Sequence, residues 1–353
     1  MCLAECLGVN SNTNKGDRMK TWMNANRMGM LVASAVLGLA GVAQAGDSPR
    51  RVPPCQPQAS ERIIWPQGTS LWGTGREDVK QEMSSVLVSL ELGSLKLAGT
   101  ETPPVSLEGG RLSAGGLQPQ ALVGAVLKGT SSAGKSVEVA ICEAEPSAED
   151  EKLVRYRIDL WDERSASWVN PCVATSQSAH PRAFAVPGVW DASGARKDVQ
   201  GRFTFACEGG AIAKCINWGY KPWGLKDGKS FTELHQACTR MARADYCGNG
   251  HSHTVENTLI DMYDSFGVLE RTTQASARWA PEKASFESSW TPEGAQCLSR
   301  MRHGEKVESI LAECPGRFEP VTEDLGQGDH CTYRRKGLKS QEALLRNHSY
   351  RKD

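Results

Sequence analysis

Between residues 64 and 130 short apolar pairs alternate with glycine, as in LVSLELGSLKLAGT (87–100) and LEGGRLSAGGLQPQALVGAVLKGT (107–130). The leucine units are unevenly spaced, so the pattern is a degenerate β-rich segment and not a repeat. Ser136–Cys142 and Tyr156–Trp161 alternate apolar and polar residues with the period-two pattern of half-buried strands. The acidic stretch Glu143–Lys152 between them is expected to be a solvated loop. Arg202–Cys207 (RFTFAC) and Cys215–Tyr220 (CINWGY) are predicted as a further strand pair around the turn Glu208-Gly209-Gly210.

The period changes at Ser230. Phe231, Leu234, Cys238 and Met241 fall on one helical stripe, and Ser230 with Glu233 forms a capping box, which predicts a helix ending near Asp245–Cys247. A second helix is expected after Thr291-Pro292-Glu293, with Pro in its first turn and Cys297, Leu298 and Met301 inward. A third is expected over Glu305–Cys314, with Val307, Ile310 and Leu311 on one face. The charged tail from Lys339 (339–353) is expected to fray. Strands first and helices later make an α+β chain: a β-rich N-terminal part, then a mixed α/β part.

Composition changes this picture in two ways. The 353 residues carry 41 basic and 41 acidic side chains, which gives no electrostatic footprint for nucleic acid. Twelve cysteines are many for a reduced cytosolic protein. Met28–Ala45 is an uncharged apolar run preceded by Lys20 and Arg27 and closed by Ala43-Gln44-Ala45, the order of a secretory signal peptide cleaved before Gly46. Residues 1–45 are therefore read as leader, and Met19-Lys20 would open a more ordinary one. No other stretch is apolar enough to span a membrane, and an exported, periplasmic or extracellular location is expected. Cys2 and Cys6 leave with the leader. Ten remain: Cys55, Cys142, Cys172, Cys207, Cys215, Cys238, Cys247, Cys297, Cys314 and Cys331. An even number in an exported chain favours disulfides, and proximity offers Cys207/Cys215 and Cys238/Cys247 as partners while leaving connectivity open. Residues 46–62, rich in Pro and polar side chains, are read as an extended linker.

Three separated blocks are distinctive: FTFACEGGAIAKCINWGYKPW (203–223), HQACTRMARADYCGNGHSHT (235–254) and FESSWTPEGAQCLSRMRH (286–303). They resemble the ADYC-domain family, named for the tetrad that stands here as Ala244-Asp245-Tyr246-Cys247. VPGVWDASG (186–194) and the β-rich stretch before it also resemble that family's N-terminal part. The resemblance implies an exported bacterial protein and supplies no catalytic residue. It divides the chain into a β-rich region (63–195) and a disulfide-stabilised ADYC region (196–338).

The candidate chemistry is sparse. Asp245, Cys247, Asn249 and Gly250, with Glu256 at the twelfth position, nearly fit a calcium loop, although Cys247 is a soft ligand. His251 and His253, with Cys238 and Cys247 nearby in sequence, form a set that zinc would accept if the cysteines stayed reduced. No cofactor is expected, with calcium and zinc as the two ions the patterns admit. The flanks of Ser252 are not a nucleophile elbow. The adjacent pair His330-Cys331 would point to opposite faces of a strand. Phosphate-loop, zincin and dinucleotide motifs are missing from the sequence. Trp218, Tyr220 and Trp223 form an aromatic cluster suited either to stacking on a sugar or to filling a small core. The leading expectation is a binding or structural module with an envelope glycan or protein as partner. The alternative is a metal-dependent hydrolase using Asp245, His251 and His253.

Overall fold

The alternating segments pair into antiparallel ladders that close on themselves. In the computed structural model, which describes residues 52–56, 70–74, 87–97, 103–174, 180–255, 257–339 and 343–350, a seven-stranded sheet runs in the spatial order Ser136–Pro146, Val126–Ser131, Leu87–Glu91, Arg202–Cys207, Ala183–Pro187, Val154–Asp162, Ser167–Val169. Ser136–Pro146 also pairs with Val154–Asp162, so six of these strands form a closed antiparallel barrel. Closure removes the unpaired edges that an open sheet would present. Its interior is filled by Leu90, Leu127, Val139, Ile141, Tyr156, Ile158, Phe203 and Phe205. The division expected between 195 and 196 is crossed here, since Arg202–Cys207 hydrogen-bonds both Leu87–Glu91 and Ala183–Pro187. The described residues belong to one compact unit.

The acidic stretch is not a loop throughout. The barrel strand continues through Glu143 and Glu145 to Pro146, because Arg157 and Arg182 meet Glu143 across the sheet at 2.9 and 2.5 Å.

A second sheet, also antiparallel, has the order Ile260–Asp264, Leu345–Tyr350, Ala284–Thr291, Gly294–Leu298, His330–Arg335, Phe318–Asp324. Two expectations change within it. Thr291-Pro292-Glu293 does not open a helix; it is the turn of a hairpin in which Thr291 pairs with Gly294. Pro fixes the same φ at the first position of a turn as at the first position of a helix, so the local signal is ambiguous. The charged tail does not fray over Leu345–Tyr350, which is a strand with partners on both sides and with Leu345 and Asn347 buried.

Three α-helices occur among the described residues: α1 (Ala211–Asn217), α2 (Thr232–Arg243) and α3 (Val307–Glu313). α1 replaces the strand expected over Cys215–Tyr220. Its first amides find acceptors outside the helix, Ala211 N–H on Ser70 O and Ile212 N–H on Leu71 O. This tertiary capping is invisible to a local pattern. α2 buries Leu234, Cys238 and Met241 as the stripe predicts, with Phe231 at its N-cap. The capping box does not form; Ser230 pairs with Leu225 in a two-residue ladder, and its hydroxyl accepts the Thr232 amide at 3.2 Å. α3 matches its expectation, with Ile310 buried and Val307 and Leu311 against the core. One core joins Phe184 and Val186 of the barrel, α1 and α2, and Trp290, Leu298 and Leu345 of the second sheet.

Ten cysteines form five disulfides: Cys55–Cys142, Cys172–Cys207, Cys215–Cys238, Cys247–Cys314 and Cys297–Cys331. Neither pairing suggested by proximity occurs. The leader, most of the linker and Glu256 lie outside the described residues. Among the described residues no helix is long and apolar enough to cross a membrane.

Candidate functional site

α2 ends where Ala244 takes a left-handed conformation (φ 52°). The amides of Ala244 and Asp245 then close on the Met241 and Arg240 carbonyls at 3.0 and 2.9 Å. Such a C-terminal turn usually places Gly at this position, and Ala occupies it here at some steric cost. Asp245 is 1% exposed, and its carboxylate accepts from Arg240 Nη1 at 2.5 Å and from the Asn249 and Gly250 amides at 3.0 and 2.9 Å. Both carboxylate oxygens that calcium would need are turned inward to hold the loop. Tyr246 stacks on Trp290 with centroids 5.4 Å apart and donates its hydroxyl to Glu287 at 3.0 Å. Burial, and then the Glu287 charge, push that hydroxyl well above its ordinary pKa. Cys247 is bonded to Cys314, which removes it as a thiolate ligand for either calcium or zinc, and Cys238 is held in a bridge to Cys215. The four residues of the tetrad therefore contribute differently. Ala244 makes the turn, Asp245 anchors the loop, Tyr246 supplies a polar contact in the core, and Cys247 staples the loop to Cys314.

A family model for the ADYC domain matches residues 119–304, more than half of the 353-residue chain. The chain belongs to the ADYC domain family. No curated protein and no solved structure matches it. The ADYC match takes in most of the barrel, α1, α2 and the hairpin at Pro292, and it stops before α3.

Beneath the tetrad lies a buried network that sequence reading missed. Arg302 Nε contacts both Glu287 oxygens at 2.9 and 3.0 Å, its Nη1 donates to Thr254 Oγ1 at 3.0 Å, and its Nη2 donates to the Met241 carbonyl at 2.8 Å. Asn347 Nδ2 donates to Glu287 at 3.0 Å and its Oδ1 accepts from Trp290 Nε1 at 2.8 Å. Arg302 and Glu287 are 1% and 0% exposed, so the ion pair is satisfied on both sides and closed to solvent. It joins α2, the hairpin and the last strand, and offers nothing to a ligand.

The surface above it differs. Gly250 O accepts from Arg243 Nη2 at 2.6 Å, and Ser252 Oγ and the His253 amide both donate to the Arg243 carbonyl at 2.9 and 3.1 Å. The loop so fixed sets the His251 and His253 rings side by side, centroids 4.4 Å apart. Both aim at one oxygen of Glu313, the last residue of α3: His251 Nδ1 at 2.7 Å and His253 Nε2 at 3.0 Å from Oε2. Asn249 Nδ2 donates to the other oxygen at 2.8 Å. Burial tends to raise the Glu313 carboxyl, but the bonds from His251 and Asn249 outweigh it and hold its pKa below the usual value. Burial pushes the His253 imidazole down despite the neighbouring carboxylate. Of the expected metal residues, Asn249, His251 and His253 come together and Asp245 faces inward. Glu313 joins them unforeseen, and the one sequence signal for it was its place beside Cys314.

The aromatic cluster is mostly core. Tyr220 is fully buried with its hydroxyl on Asp264 at 3.1 Å. Trp218 and Trp223 are partly buried against the same core, and Trp223 lies so close to Gly110 that a Cβ there would stand 3.0 Å from the ring. Trp279 and Trp290 are also buried.

Proposed function

We propose that this ADYC-domain chain is an exported, disulfide-braced binding or structural module of the cell envelope or extracellular space, with an envelope glycan or protein as its partner. The observation that supports this reading is the pairing of all ten cysteines beyond residue 45, since five disulfides persist in an oxidising compartment and not in a reduced cytosol. The pattern of Lys20, Arg27 and the apolar run to Ala45 supplies the route. Recognition through an exposed Trp-Tyr-Trp face is the weaker version, because Tyr220 has no exposed surface to offer.

Expression of the full chain in a bacterial host, followed by fractionation and N-terminal sequencing, tests the reading. The expected product starts at Gly46, shows no free thiol under denaturing conditions and ten after reduction, and is retained on isolated envelope material. Cytoplasmic retention with reactive thiols would end the export reading. An exported, oxidised chain that ignores envelope glycan and protein would end the binding half of it.

The hydrolase alternative gains one point from the convergence of two imidazoles on a carboxylate. That carboxylate is Glu313 and not Asp245.

A further inference from the structure

Two imidazoles from one short loop and a carboxylate from a helix end make a donor set of mixed character. Hard cations such as calcium take oxygen ligands, whereas first-row divalent ions accept imidazole and carboxylate together. His251 Nδ1, His253 Nε2 and a Glu313 oxygen lie within 4.8 Å of one another. An ion about 2.0–2.1 Å from each ligand needs neighbouring ligand atoms about 3 Å apart. The contacts of 2.7 and 3.0 Å to Glu313 are already close to that spacing.

The set is also held from behind. Asn249 Nδ2 fixes the second Glu313 oxygen at 2.8 Å, the outer-sphere bond that orients a ligating carboxylate. The Asn249 side chain accepts the His251 amide at 2.9 Å, and the Asp245 carboxylate accepts the Asn249 and Gly250 amides. Cys247–Cys314 ties the start of this loop to the residue after Glu313, so loop and helix end cannot drift apart. The three side chains are 36%, 9% and 20% exposed, which leaves a solvent path and room for further ligands.

We infer that His251, His253 and Glu313 form a site for one divalent first-row metal ion of the zinc type, with three protein ligands and at least one position open to water or a partner's donor atom. Open three-ligand sites of this composition bind an exchangeable fourth ligand, in contrast to closed structural sites. The inference rests on the geometry of this loop and not on export or on the hydrolase reading.

The test uses tag-free, oxidised protein, titrated with Co2+ and then Zn2+ by absorption spectroscopy and calorimetry. One Co2+ per chain should give visible ligand-field bands that Zn2+ abolishes. His251→Ala, His253→Ala and Glu313→Gln should lose the bands, and Asn249→Ala should weaken binding by about 10–100-fold. His330→Ala, at an exposed histidine outside the cluster, should bind as the parent does. Circular dichroism and a thiol count on each variant separate loss of ligands from loss of fold. Absence of saturable stoichiometric binding by folded parent protein overturns the inference, as does unchanged binding by the folded double variant His251→Ala/His253→Ala. Free thiols in the parent would instead count against the export reading, so the two failures are distinguishable.

Discussion

His235 shows how burial alone sets the chemistry of a residue. It is fully buried on α2, its Nε2 meets the Ile212 carbonyl at 3.1 Å, its Nδ1 has no hydrogen-bond partner among the described residues, and burial pushes its pKa down to about 3. The folded chain therefore holds it neutral, while the unfolded chain protonates it near 6.5. Its stability contribution is intact above about pH 6.5 and is lost as pH falls towards 3. Between pH 6.5 and pH 4 this amounts to about 3 kcal/mol. Urea unfolding at the two pH values should show the parent losing that much more stability than His235→Gln. Asp329, whose carboxyl His348 and Tyr263 hold low against its burial, destabilises in the same direction as pH falls, but equally in both proteins. Equal losses in parent and variant would show that His235 protonation is not linked to folding.

Among the elements, the turn after α2 carries the most structure per residue. Gly248 (φ 67°) passes so close to the Pro292 hairpin that a Cβ would stand 1.8 Å from the Glu293 carbonyl oxygen, which makes the glycine obligatory. Asp245 is the pin of the same turn. Asp245→Ala would leave the Arg240 guanidinium, 4% exposed, without its carboxylate and two loop amides without acceptors. Removing one partner of such a buried pair costs about 3–5 kcal/mol, to be read as a shift in denaturation midpoint at unchanged slope. A loss below about 1 kcal/mol would mean that the Ser193 and Pro292 carbonyls suffice for Arg240.

Over the whole molecule, the barrel and the second sheet enclose α1 and α2 in one core, and the last strand completes that core. Leu345–Tyr350 separates Ile260–Asp264 from Ala284–Thr291 and brings Asn347 to Glu287 and Trp290. A chain stopped at residue 342 loses a central strand and leaves the buried Glu287–Arg302 pair without that partner. A domain has a margin of only about 5–15 kcal/mol from which to meet that loss. Such a truncation should appear as protease-sensitive protein with reactive thiols, and a resistant, fully oxidised product would contradict the account.

How much of this was legible follows from where each signal resides. Ser136–Cys142, Tyr156–Trp161, Arg202–Cys207, α2 and α3 could be read because their apolar spacing lies within a few consecutive residues. α1 and the Pro292 hairpin could not, because Ser70, Leu71 and the neighbouring strands decide them from far along the chain. The sequence by itself determined the strand and helix periods and the ADYC likeness, and with an even cysteine count pointed to a stapled fold. Tertiary structure decided which cysteines pair, that Asp245 faces inward, and that Glu313 meets His251 and His253. Those outcomes depend on residues such as Cys247 and Cys314, 67 positions apart, being brought together, and local spacing carries no information about that closure.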